Sequence, residues 1–260
     1  MERVFPNALV WAEFSLAPAG RTGMFPPFMS EPIAVSPALE SPWRAGLRGA
    51  RANLLPGLAL QAGALALVLA YYWHPPTREV LGRLAVWRLE LGFTFSFVST
   101  ALFGGLLPLL YLWSRAATRA RYDVRQSTAL IALWAYKGLE VDVWYRLMAL
   151  SFGEGHDVTT IALKSFFDQF VYCPFFAVPI TVLAYEWIES GFHHRTVLAD
   201  LRAPGWYRRR GMGVLTLSFG VWLPAVCIIY ALPTALQLPL QNLVLCFYTL
   251  LVAHLTERTA

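Results

Sequence analysis

The chain has 260 residues, 57% of them hydrophobic and 14% charged, with 10 Trp, 17 Phe and a formal net charge of +5. That is more apolar surface than a soluble core of this length buries, which argues against a soluble globular domain and for an integral membrane protein. The excess of 21 Lys and Arg over 16 Asp and Glu fits basic loops flanking membrane segments better than a nucleic-acid surface. Cys173, Cys227 and Cys246 each lie in an apolar run without CxxC spacing, which argues against a disulfide framework and against a zinc site.

Residues 1–50 hold Pro6, Pro18, Pro26, Pro27, Pro32, Pro37 and Pro42 among scattered charges. This predicts an irregular Pro-rich tail ahead of a helical transmembrane domain over 51–260. The opening VFPNALVWAEF is short and broken by Pro6 and Glu13, unlike a secretory signal. Met29 opens MSEPIAV, a second plausible start, so that residues 1–28 need not belong to the natural protein.

The run over about 54–73, LLPGLALQAGALALVLAYYW, has no charge and ends in an aromatic cluster, as a first membrane span requires. His74, Pro75 and Pro76 stop it. The stretch REVLGRLAVWRLE then alternates Arg78, Arg83 and Arg88 with Val80, Leu81, Leu84 and Val86, the pattern of a short helix lying in the interface. A second span is expected over about 91–113, where Gly104 and Gly105 offer a close-packing surface to a neighbouring helix. A basic loop with Arg115, Arg119, Arg121 and Arg125 follows.

The third apolar segment, about 127–150, contains Lys137, Glu140, Asp142 and Arg146. An unpaired charge at a bilayer centre costs roughly 2.5–3.5 kcal/mol on the insertion scale, so these residues must be paired or hydrated. The spacing predicts Lys137 with Glu140 and Asp142 with Arg146, the two pairs on different sides of one helix. Either the helix is buried in a bundle with its charges mutually satisfied, the more economical reading, or one side lines an aqueous path. The fourth segment opens on KSFFDQFVYCP. There Lys164 and Asp168 share a face at four-residue spacing and are expected to pair at the membrane boundary, Gln169 lies one step round, and Pro174 and Pro179 are expected to kink the helix before it ends near 188. His193, His194, Arg195, Arg202 and Arg208 to Arg210 make the most basic loop, and spans over about 213–232 and 240–255 complete a set of about six. The adjacent histidines lack Cys or acidic partners, which disfavours a metal site.

The Lys and Arg distribution places the tail, the 115–125 loop, the 195–210 loop and Arg258 on one side of the membrane, against two loops without Lys or Arg at 151–163 and 233–238. Both termini are therefore expected in the cytoplasm. The three Arg of 74–90 fall on the opposite side and conflict with this arrangement. Gln237, Gln241 and Asn242 put polar groups on the last helices, where hydrogen bonds between helices account for them. Catalytic, nucleotide-binding and metal signatures are absent from the sequence, and Lys164 with Asp168 lacks the third positioned group that an enzyme would need.

Residues 138–255 resemble the family of the 22-kilodalton peroxisomal membrane protein and its mitochondrial inner-membrane relatives, the Mpv-17 group. The pattern is carried by Lys164, Asp168, Gln169 and Pro174, with Trp144 and Tyr145 upstream and Trp222 and Pro224 downstream, separated by Leu223. The resemblance implies an all-α, polytopic helical membrane protein without enzymatic activity or cofactor, for some members a proposed channel of weak selectivity. The expectations are a channel-like or permeability-modulating protein in the lipid bilayer, alone or as a homo-oligomer, without nucleic acid. The membrane is that of a bacterial cell (the inner, or plasma, membrane), with a eukaryotic organelle as the alternative. A structural or scaffolding membrane protein is the rival function, and a membrane-embedded lipid enzyme a weaker one.

Overall fold

A computed structural model of the protein describes residues 54–116 and 118–257. The expected Pro-rich tail lies outside the described residues. The described residues are all-α, and each expected membrane segment is helical. Helix α1 is Leu54–Trp73 and α2 is Pro75–Leu91. Helix α3, Phe93–Ser114, contains a stretch of π-helix at Ala101–Leu106. Helix α4 is Val124–Phe152. Helix α5, Val158–Glu189, is α-helical at both ends and π-helical over Asp168–Ala177. Helix α6 is His194–Arg202; α7 begins as a π-turn at Tyr207–Gly211 and continues as Met212–Tyr230; α8 is Thr234–Glu257.

By length and apolar composition, α3 and α5 are able to cross a membrane, and α7 is a third if its two parts count as one span. This is fewer than the six the apolar runs predict. In α4 the cause is physical, since Lys137, Glu140, Asp142 and Arg146 sit in the middle of the helix. Helix α1 has no charged residue and α8 none before Glu257, and the fully described parts of these two helices, 57–73 and 234–250, are each 17 residues long. Helix α7 bends by 47° between its Tyr207–Thr216 and Ser218–Tyr230 parts. Beside that bend the Thr216 hydroxyl donates back to the Met212 carbonyl at 2.8 Å, a bond that favours bending.

Helix α8 is the axis of the bundle, packing against α1, α2, α3, α4 and α7. Its Leu236, Leu238, Leu240 and Val244 join Ile229 and Tyr230 of α7 and Leu232 just after it in the main core. Helices α3 and α4 approach most closely, because the crossing is lined with glycine. A Cβ on Gly138 would lie 2.2 Å from the Ser96 carbonyl oxygen, and one on Gly104 would lie 2.9 Å from the Trp134 ring. The close-packing surface expected at Gly104 and Gly105 is therefore present, with Gly138 as its counterpart on α4. The outward surface of α5 carries the exposed rings of Phe166, Phe170, Phe175 and Phe176.

Proline 174 does not interrupt α5, since the π-helical stretch accommodates it. In that i→i+5 ladder the Val178 amide reaches the Cys173 carbonyl. The next donor in the same register is residue 179, a proline with no N–H, which leaves the Pro174 carbonyl open. The Tyr207 hydroxyl, from the start of α7, donates to it at 2.9 Å.

The interfacial helix expected over 74–90 is present as α2, and its three arginines have different fates. Arg78 donates to the carbonyls of Tyr71 and Tyr72 and so caps the end of α1; Arg83 pairs with Glu79 at 2.7 Å on the surface. Arg88 is buried in the bundle. It is thus a packing residue and not a flanking charge, which removes part of the conflict in the charge count. In the basic loop, Asp200 draws in Arg209 at 3.1 Å and Arg210 at 2.9 Å. Partial burial alone would raise the Asp200 carboxyl, but the hydrogen bonds and charges of those two arginines hold it below its ordinary value.

Candidate functional site

Two polar clusters form inside the apolar bundle, one on each side of α4. Within that helix, Trp134, Lys137, Val141 and Tyr145 follow each other at three- and four-residue steps and therefore share one face. That face looks into a cavity of about 140 Å³. Across it stand Asp168, Gln169, Tyr172 and Cys173 from the π-helical part of α5, and Val214, Ser218, Trp222 and Val226 from α7. Thr100 of α3 and Gln241 of α8 also line it. The wider turn of the π-helix brings residues 168 and 169, 172 and 173, and 177 to the same wall, the kind of local irregularity often found at functional sites.

Around this cavity the ionisable groups are held by aromatic partners. Lys137 donates to Glu140 Oε1 at 2.6 Å, as the spacing predicts, and the Tyr172 hydroxyl donates to the same oxygen at 2.7 Å. Asp168 accepts from the Tyr230 hydroxyl at Oδ2 and from Gln169 Nε2 at Oδ1, both at 2.9 Å. Trp144 stacks on Tyr172 with ring centroids 4.7 Å apart, and Tyr145 meets Tyr230 edge-on while donating its hydroxyl to Gln241. Two acceptors have no hydrogen-bond donor from the described residues: Gln169 Oε1 and Glu140 Oε2.

The pair expected between Lys164 and Asp168 does not form. Both side chains are deeply buried in the bundle. The Asp168 oxygens are taken by Tyr230 and Gln169, and the Lys164 ammonium lies 5.8 Å from the centre of the Tyr230 ring as a cation–π partner. The change from α- to π-helix begins at Asp168, so the regular four-residue pairing geometry ends there. Lys164 thus belongs to the same network at one remove, through the tyrosine.

On the other side of α4, Asp142 is fully buried and accepts from three donors. Arg88 of α2 reaches Oδ1, the Ser96 hydroxyl of α3 reaches Oδ2 at 2.5 Å, and Arg146 Nε reaches Oδ1 at 3.1 Å. The predicted Asp142–Arg146 pair is present, but it is half of a larger cluster. Arg146 also lies 4.8 Å from the Phe93 ring centre. Nearby, Thr100 donates to Asn242 Oδ1 and Asn242 Nδ2 to Ser99, each at 2.9 Å, which ties α3 to α8.

The sequence reading thus found Lys137, Asp168 and Gln169, which line one cavity, and Glu140, which backs it. Asp142 and Arg146, grouped with them by sequence, stand apart. Of the remaining signature residues, Trp144 and Tyr145 brace the α4 side, Pro174 supplies the carbonyl bound by Tyr207, Trp222 lines the cavity, and Pro224 lies within α7 outside the cavity wall. Missed were Tyr172, Tyr230 and Arg88. A signal for Arg88 existed, since it sits seven residues after Leu81 and four after Leu84, on the apolar face of α2.

Among the described residues no cluster of His, Cys, Asp and Glu is arranged to hold a metal ion. No protein-family model, curated protein or solved structure matches the chain.

Proposed function

We propose that this protein is an integral membrane protein of about six membrane-embedded helices that lets small solutes pass, with the cavity between α4, α5 and α7 on the path. One observation carries the reading: Lys137, Asp168 and Gln169, from two different helices, line one cavity inside an apolar bundle. Ionisable groups at membrane depth face bundle interiors or hydrated cavities and are a default mark of function. Apolar α3 and α5, with the exposed Phe rings of α5 turned outward, support insertion in lipid. The resemblance of residues 138–255 to the Mpv-17 group belongs to the same proposal, as do a bacterial plasma membrane, cytoplasmic termini and the absence of enzymatic activity. Purified protein in liposomes is expected to raise solute flux above that of protein-free vesicles; flux at the protein-free level with verified folding would sink the reading.

A second reading, a structural membrane protein, is favoured by the other cluster. The Arg88, Ser96, Asp142 and Arg146 group fastens α2, α3 and α4 together and has the form of a device that fixes helix register. Substitutions at Asp142 that lower stability and leave solute flux per folded protein unchanged would assign that cluster to scaffolding alone.

A further inference from the structure

The groups left open at the cavity wall define what it can hold. Gln169 Oε1 is buried without a donor, and a buried acceptor of this kind costs free energy until something donates to it. Lys137 spends one of its three N–H donors on Glu140. The cavity therefore presents a free acceptor and free donors together. Its fixed charges are not free: Lys137 is neutralised by Glu140, and both oxygens of Asp168 already accept hydrogen bonds. Lys137 and Asp168 line the same cavity, so an ion of either sign meets a repelling group beside an attracting one, and it must shed its hydration in an apolar setting to enter. The volume of about 140 Å³ is close to the roughly 150 Å³ cavity that admits benzene, so a solute of a few heavy atoms fits.

We propose that the cavity is a binding site for small uncharged solutes that both donate and accept hydrogen bonds, namely polyols and carboxamides, and that it selects them over ions of either sign. The selection rests on the permeation reading above for its role in transport, but the site itself does not require flux. Such a solute donates to Gln169 Oε1, accepts from Lys137, and lays its carbon frame against Trp134 and Trp222, which line the same cavity.

The test has two arms. In proteoliposomes, glycerol and urea permeation is followed by stopped-flow light scattering beside potassium and chloride flux. The expected result is that the neutral solutes cross faster than the ions, and that Gln169→Leu slows them roughly fivefold to tenfold, the worth of one hydrogen bond. Ser218→Leu, which fills the cavity from α7 and leaves Gln169 in place, is expected to slow them as well. Where flux exceeds that of protein-free vesicles, ion flux equal to or above neutral flux, or neutral flux unchanged in both folded variants, overturns the proposal.

The second arm needs no flux. Quenching of the Trp134 and Trp222 emission, isolated by difference from Trp134→Phe and Trp222→Phe proteins, is measured with acrylamide, iodide and caesium. Acrylamide, itself a carboxamide, is expected to quench strongly and both ions weakly, with the acrylamide effect lost in Gln169→Leu and Ser218→Leu. If no solute crosses the membrane yet this pattern holds, the permeation reading fails and the site stands. Equal quenching by ions and acrylamide, or acrylamide quenching that survives both variants, removes the site.

Discussion

Arg88 and Asp142, 54 residues apart in the chain, form a hydrogen-bonded ion pair in the interior, with side chains 2% and 0% exposed. Removing one member of such a pair leaves a buried charge with fewer partners and costs up to about 3–5 kcal/mol. Arg88→Met is therefore expected to lower the thermal midpoint in detergent sharply. Asp142→Asn is expected to do at least as much damage, because its one amide oxygen cannot serve both Ser96 and the arginines and the buried Arg88 is left without a counter-charge. The exchange Asp142→Arg with Arg146→Asp, which looks conservative from the four-residue spacing, is expected not to restore stability. It sets a second arginine against Arg88 at a buried site. Full recovery by that exchange would show that Arg88 plays no part.

Gly138 fixes how closely α3 and α4 can approach. A methyl group there would meet the Ser96 carbonyl at 2.2 Å and Thr100 Oγ1 at 2.6 Å, and backbone does not yield as a side-chain tip does. Gly138→Ala is expected to cost about 1–3 kcal/mol by overpacking, despite the better helix propensity of alanine. Because Ser96 also binds Asp142, the loss should couple to that of Arg88→Met in a double-mutant cycle of thermal unfolding. Simple additivity of the two effects would count against a shared crossing.

Helix positions and types were legible because apolar runs, prolines and charge breaks are local features. The pairs inside α4 were legible for the same reason: Lys137 with Glu140 and Asp142 with Arg146 are set by helical spacing alone. The Lys164–Asp168 pair failed by the same logic, because the helix changes to a π-ladder at Asp168 and a tyrosine 62 residues away competes for its oxygen. Spacing within one helix carries no information about a donor on another. Arg88 shows the opposite case: its place on the apolar face of α2 was readable, and the habit of assigning arginine to the interface concealed it. The span count exceeded what composition supports for α4, where an apolar run was read as a span although Lys137, Glu140, Asp142 and Arg146 lie inside it.

Tyr207 and Pro179 act on one carbonyl. Tyr207→Phe removes the hydroxyl that binds Pro174 O at 2.9 Å in a half-buried position, a loss of about 0.5–1.5 kcal/mol, the net worth of one hydrogen bond. Replacing Pro179 with Ala supplies an amide in the π-register position that the ring denies. Pro179→Ala is thus expected to offset much of the effect of Tyr207→Phe. The check is chemical unfolding of the single and double variants, with an additive double mutant as the outcome that excludes the shared acceptor.

The start of α5 carries a pH-dependent cap. Asp157 accepts from the Thr160 hydroxyl at 2.6 Å and from the Thr160 amide at 3.1 Å, and those bonds hold its carboxyl below the ordinary aspartate value. A carboxyl whose value is lower in the folded state stabilises that state above its unfolded value, about 3.9. The contribution is lost as pH falls through the lower folded value. Amide-exchange protection of the first turn of α5 should therefore hold from neutral pH down to about 4 and fall only below it. Asp157→Asn, which keeps an N-cap acceptor without a titrating group, should flatten that dependence, whereas Asp157→Ala should lower protection at every pH. A cap that loosened near pH 6 would place the controlling group elsewhere.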